Sequence, residues 1–515
     1  MTHVTGTNED VYGLILGMSS AERQLFQKMV RGRSSQNSPL HLRLFDLIAN
    51  DGIVGDLMAK PAIGITNNTQ FSNLKNHLAN EILDILTFHN RDQSPQMLHS
   101  FGIMQLEFLI ARGNYYLARR AYKRLWAQAE LRGQYSWAIQ LLKYRQRLHF
   151  LDPSKKSKQE STELESITAL YISYRKTDLV LEQMADRLKN LKAETPLRFL
   201  PSQRGEVLAI FEALTQIEAE SRATDHLFIR FLAVISETLY MLQEFESCSQ
   251  RIDKALALIR SDPALILPNS DQFLGISGTA FYNAFAESRV FAAIDLLETF
   301  DQFAQVFNDD LILNKRWSII RFNTALKIAN KTANYKEVQT LLYDRADIIQ
   351  IAHEVLRPED AISVMTSIAI SLFVMDDYVA AEHLILDIKE MNRSLDREDM
   401  LYFSLVFHLL ILYEQRSWYR LDSATEAAYH LLYSRKKLRP FEKELMRFLK
   451  HLPVYRGKGT TTHAIRTFVE KLESFRNDPI QRLYFLYFNY YDWLQSKLAG
   501  LSYREYKRQL LATAV

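Results

Sequence analysis

Cysteine is all but missing: among 515 residues only Cys248 carries a thiol. A lone thiol excludes an intramolecular disulfide and suits a reducing compartment. It also removes the Cys pairs around which most structural zinc sites form, so neither a metal nor a cofactor is expected. Cys248 itself, in "QEFESCSQRI", reads as a small buried residue of an amphipathic helix. Glycine and proline are scarce, at 16 and 12 residues, well under the roughly 7% and 5% of average chains. A chain so poor in both has few places to turn sharply, and an all-α fold follows.

Long apolar runs are missing too. "SVMTSIAISLFVM" and "LYFSLVFHLLILY" fall short of the roughly 20 residues a membrane span needs, and read as helices buried on all sides. The opening "MTHVTGTNEDVYG" has neither the basic nor the apolar region of a signal peptide. A cytoplasmic protein without membrane contact is the expectation.

The familiar catalytic motifs are each incomplete in this sequence. "RGKGTTTH" has Leu452 where a phosphate-binding loop needs glycine, and Gly459 where it needs Ser or Thr. Thr462 reads instead as the cap of "THAIRTFVEKLESF". "AHEVLRPED" joins His353 to Glu354 but lacks a second His at helical spacing. "LGISGTA" is one residue short of a nucleophile elbow, and His383, His408, His430 and His451 are scattered over different helices. No catalytic, cofactor-binding or metal-binding residue is assigned, and a protein that works by binding is expected.

What is present is a repeat. Arg112-Gly113-Asn114-Tyr115 returns as Arg132-Gly133-Gln134-Tyr135, one helix and one turn later. From residue 223 onward an aromatic stands near each turn, at Phe245, Phe291, Tyr335, Tyr378 and Tyr419, with spacings of 46, 44, 43 and 41 residues. A period in the low forties is two helices of about 17 to 18 residues plus two turns. Each aromatic is expected to wedge between antiparallel helices. Within "DDYVAAEHLILDIKEM" the apolar Tyr378, Ala381, Leu384, Ile385, Ile388 and Met391 recur at helical steps. Pro358 suits a first helical turn, and "SDPALILPNSDQ" marks a longer break between hairpins.

The Gly113-Asn114-Tyr115, Ala118 and Tyr122 pattern resembles the second helix of tetratricopeptide repeats, and Asp377, Tyr378 and Ala381 match in part. The units here are longer than that family's 34 residues and most lack its turn glycine. The resemblance implies a right-handed α-solenoid of tetratricopeptide-like hairpins that offers a surface to partner proteins or peptides. The N-terminal "MSSAERQLFQKMV", "LHLRLFDLI" and "FSNLKNHLANEILDIL" also resemble the opening of long helical proteins of Bacteroidetes-type bacteria. The expected organisation is an N-terminal helical capping subdomain over 1–92 and the repeat array over 93–500, followed by a C-terminal capping helix over 501–515. Breaks in the array fall near 152–160 and 262–270.

Charge is segregated. Residues 112–147 hold nine Lys and Arg against Glu130, about +8, and residues 434–459 hold nine against two acids, about +7, so the remainder sums to about −12. On the helix after Tyr115 the core stripe is read as Leu117, Ala118, Ala121, Tyr122, Leu125 and Ala129, with Arg119, Arg120, Lys123 and Arg124 stacked outward as like-charged pairs. These four, with Lys143, Arg147, Arg435, Lys436, Lys437 and Arg439, are the candidate contacts for an anionic partner. An acidic protein or peptide is one reading of that partner and nucleic acid another; acidic helices of neighbouring repeats covering the ridge is a third. A DNA-associated regulator also stays open. "PLHLRLFDLIANDGIVGDLMAK" and "TQFSNLKNHLANEIL" have the order of a helix-turn-helix, with Lys75 and His77 exposed; the second offers Gln70, Asn73, Lys75, Asn76 and Asn80 but also Glu81, and has no Arg. The aromatic stretch from Tyr484 to Trp493 requires cover, either from "SYREYKRQLL" folding back or from self-association.

Overall fold

A computed structural model describes residues 11–33, 39–89, 91, 94–151, 158–194, 201–391, 398–434, 440–451, 458–477 and 488–512. All regular structure among them is helical. The chain divides into two compact units, one of Met1–Gln128 with Gln140–Ser161 and one of Ala129–Ile139 with Thr162–Val515.

In the first unit, α1 (Val11–Gly17), α2 (Ser20–Arg33), α3 (Leu40–Ala49), α4 (Asp56–Ala62) and α5 (Asn68–His89) enclose a small core. Phe26, Phe45, Phe71, Leu78 and Ile82 are fully or nearly fully buried there. The chain continues into α6 (Pro95–Ala111), α7 (Tyr115–Leu131) and α8 (Tyr135–Leu151). Ser94 caps α6 by accepting from the Met97 amide, and Pro95 takes the first helical position, where its missing N–H costs nothing.

The second unit opens with α9 (Lys158–Glu194), α10 (Pro201–Gln216) and the single turn α11 (Glu218–Ser221). Hairpins follow: α12 (Asp225–Leu242) with α13 (Phe245–Ser261), α14 (Ser270–Ala286) with α15 (Val290–Ala304), and α16 (Leu311–Lys331) with α17 (Tyr335–Tyr343). After α18 (Arg345–Val355) come α19 (Pro358–Val374) with α20 (Tyr378–Met391), α21 (Glu398–Glu414) with α22 (Trp418–Ser434), then α23 (Pro440–His451) and α24 (Lys458–Asn477). The last two helices are α25 (Tyr490–Ala499) and α26 (Tyr503–Ala512). The first helix of a hairpin is the more buried: in α12 both faces are apolar and covered, from Leu227 to Leu242. Because α24 is already helical at Lys458, Thr462 is not its cap.

One turn closes the hairpins. Gly113, Gly133, Gln243, Ser288, Ala333, Asp376 and Arg416 all have φ between 51° and 70°. Each stands two residues before the first residue of the following helix. Its amide donates to the carbonyl three residues back at 3.0 to 3.4 Å, and the next amide donates to the carbonyl five back at 2.8 to 3.0 Å, in all seven. This pair of bonds is the Schellman closure, which satisfies carbonyls left open at a helix end. Glycine is the natural occupant of that conformation, yet five of the seven turns do without it.

That register corrects two wedge assignments. The residues that open the second helices are Phe245, Val290, Tyr335, Tyr378 and Trp418, 40 to 45 residues apart. Phe291 and Tyr419 stand one position later and point away from the core, 80% and 89% exposed. Trp418 packs edge-on against Tyr413 at 5.7 Å, Tyr378 meets Phe373 at 5.3 Å, and Tyr335 is buried.

Side chains tie successive hairpins together. Asn283 of α14 donates to the Phe245 carbonyl at 3.1 Å, Gln415 donates to the Tyr378 carbonyl at 3.2 Å, and Asn330 donates to Ser371 at 2.7 Å. In the break at 262–270, Asn269 does not cap α14. It is buried, accepts from Arg230 at 3.0 Å and lies 2.9 Å from His226, while Arg230 reaches Asp178 at 2.8 Å. At the far end α26 folds back: Tyr503 packs on Phe488 and Phe373, Tyr335 donates to the Arg504 carbonyl at 3.2 Å, and Lys507 pairs with Asp492 at 2.8 Å. Tyr490 and Trp493 are thereby buried; Tyr484, Phe485 and Tyr487 lie outside the described residues.

Ala333→Gly relieves a left-handed Cβ and gives up only the contact of one half-buried methyl with the core. It is expected to stabilise the second unit by about 0.5 to 1 kcal/mol, the strain of about 1 to 2 kcal/mol less the greater entropy of glycine, seen as a raised urea midpoint. Gly133→Ala brings a Cβ to 2.4 Å from His226 Cγ at φ 56°, and is expected to lower stability by about 2 to 3 kcal/mol. Cys248 is fully buried, lies 3.3 Å from the Ser236 carbonyl, and has its pKa pushed up to about 12 by burial. Its thiol should therefore ignore Ellman's reagent in the native protein and titrate as one equivalent after unfolding.

Candidate partner-binding surface

The candidate basic residues of the first unit lie on α7 and α8, and α6 contacts both. Gly102 lets α6 and α7 approach: a Cβ there would sit 2.3 Å from Leu125 Cδ2. Ala118, Leu125, Leu141, Leu142 and Leu148 are buried around this approach. Leu117, expected in the core stripe, is exposed, and Ala121 and Tyr122 are only half-buried. The buried stripe of α7 is narrower than its apolar residues suggest, because Tyr116 and Leu117 both face solvent at its first turn.

The outer ridge of α6 is apolar. Met104 and Phe108, one helical turn apart, are 64% and 59% exposed. Charged and polar pairs flank them on both sides: Arg124 of α7 donates to Gln105 at 3.2 Å, and Arg147 of α8 donates to both Glu107 oxygens at 2.7 and 2.8 Å. Arg112 stacks on the Phe108 ring at 5.2 Å. The Glu107 carboxylate raises the Arg147 pKa, and Tyr144 beside it is raised by burial and by the same carboxylate. Two surface-exposed methionine and phenylalanine side chains inside a rim of arginines have the make-up of a protein interface, with an apolar centre and polar edge.

The remaining basic residues divide. Arg120, Lys123 and Lys143 are exposed, whereas Arg119 is half-buried. Arg435, Lys436, Lys437 and Arg439 lie outside the described residues. Other cations of that second cluster are paired: Arg447 with Glu444 at 2.8 Å and Lys450 with Glu426 at 2.8 Å, while Glu444 also takes Lys471 at 2.9 Å. Of these acids only Glu426 comes from outside the stretch, so it alone lowers the local excess of positive charge.

The candidate DNA-reading helix fares differently from its sequence reading. Gln70, Asn73, Asn76 and Asn80 of α5 are exposed, but Lys75, its only Lys or Arg, is largely covered. It pairs with Asp56 at 2.8 Å and lies 5.6 Å from the Tyr12 and Phe71 rings. A phosphate contact from this helix would have to break that pair. Elsewhere, Ser277 is buried inside α14 and donates to the Leu274 carbonyl, Glu354 pairs with Lys315 at 2.7 Å, and His408 is buried 3.1 Å from Glu382. Among the described residues no helix is long and apolar enough to cross a membrane. No protein-family model matches the chain, and no curated protein matches it either.

If Phe108 is presented to a partner and not packed, Phe108→Ala changes the urea midpoint of the free protein by less than about 0.5 kcal/mol. Gly102→Ala, which makes the buried Leu125 side chain shift, costs up to about 2 kcal/mol in the same measurement, the overpacking less the helix propensity that alanine gains.

Proposed function

We propose that the protein is a non-enzymatic scaffold or adaptor that binds an acidic protein or peptide. In this reading the hairpins form a right-handed, tetratricopeptide-like solenoid, and the chain works inside the cell by contact alone. The observation that carries it is the Met104–Phe108 ridge, exposed and bordered by Arg112, Arg124 and Arg147. Arg120, Lys123 and Lys143 extend the positive surface along α7 and α8. Aromatic and methionine side chains give such a contact its affinity, and the arginines its orientation and its salt dependence. The covered Lys75 weighs against the reading in which α5 reads DNA.

The test is affinity capture on immobilised full-length protein, wild type against the double variant Phe108→Ser and Arg147→Glu, with circular dichroism to show equal folding. The wild type is expected to retain an acidic protein at low salt and release it as salt rises. The variant should bind that protein about 30-fold more weakly, the effect of losing roughly 2 kcal/mol at an interface centre. Identical captured proteins with identical salt dependence on both would overturn the assignment of this surface.

A further inference from the structure

Three metal-ligating side chains meet on the first unit, away from the ridge. His41 stands at the second position of α3, and His77 and Glu81 lie one turn apart on α5. The ligand atoms of all three fall within 4.8 Å of one another. His41 Nε2 is 2.9 Å from Glu81 Oε2, His77 Nδ1 is 3.9 Å from the same oxygen, and the two imidazole rings are 5.0 Å apart.

The contact between His41 and Glu81 is unusual for an ion pair. Both atoms are shielded from solvent, yet neither makes a hydrogen bond despite the 2.9 Å separation. The carboxylate oxygen therefore sits beside the ring nitrogen and not along its lone-pair direction. Buried polar atoms are almost always satisfied, so a pair left this way asks for a third species. A metal ion supplies one: two ligands each about 2.0 to 2.1 Å from zinc lie roughly 3.0 to 3.5 Å apart, neither pointing at the other.

We propose that His41, His77 and Glu81 bind a zinc ion that clamps α3 to α5. The set is two imidazoles and a carboxylate, which suits zinc without any cysteine. The core holds the ligands in place: Leu42 next to His41, Leu78 next to His77 and Ile82 next to Glu81 are all fully buried. Side chains of His41 and Glu81 are only 15% and 17% exposed, while His77 is 64% exposed. His77 can thus swing the short distance needed to close on the ion, and a water completes the coordination from the solvent side.

The experiment is a zinc titration of chelator-stripped full-length protein in competition with a chromophoric chelator. One zinc per chain is expected, with affinity reduced at least tenfold in both His77→Ala and Glu81→Gln, and unchanged in His430→Ala on α22. His77 is exposed enough that its replacement should leave the fold intact, which circular dichroism checks. Absence of stoichiometric zinc, or equal zinc affinity in wild type, His77→Ala and Glu81→Gln, would overturn the proposal.

Discussion

At seven hairpin turns among the described residues the chain reverses through one residue in the left-handed region, and those hairpins depend on that single conformation. Its two hydrogen bonds run between backbone groups, so the turn needs no particular side chain to close. What it needs is tolerance of positive φ, at a cost of about 1 to 2 kcal/mol for residues other than glycine. Gln243, Ser288, Ala333, Asp376 and Arg416 all bear it, at φ 51° to 65°. The geometry in turn sets where the second helix starts, and so which residue of each hairpin meets the preceding helix.

Helix and period were legible because they are written many times over: apolar residues at three- and four-residue spacing, little glycine or proline, and an aromatic near most turns. The exact wedge was less so. At "RVFAA" and "SWYRL" an aromatic lies next to another residue able to open the helix, and spacing cannot tell Val290 from Phe291 or Trp418 from Tyr419. The backbone decides, through a turn that in these two hairpins carries Ser288 and Arg416 and so lacks a glycine marker. The return of α26 onto Tyr335 and Phe373 was visible only as an excess of aromatics wanting cover, since the partners are more than a hundred residues apart.

Charge was the least legible, because ion pairs form between helices. Summing Lys and Arg along 112–147 hides Glu107, which lies upstream and takes Arg147. The same holds for Asp56, which takes Lys75, and for Glu426, which takes Lys450. The free positive surface is therefore smaller than the local count, and it acquires meaning from the apolar ridge of α6 that it borders. The histidine cluster was hidden for the same reason: His77 and Glu81 show a helical spacing, but His41 joins them from another helix.

Hydrogen exchange of the turn amides tests the central claim most directly. The amides of Asn114, Gln134, Glu244, Arg289, Asn334, Asp377 and Ser417, each bonded to the carbonyl five residues back, should exchange as slowly as the helix ends that they close. Exchange at these seven positions at the rate of open loops would contradict the account, since the hairpins would then be held by side-chain packing and not by a shared backbone turn.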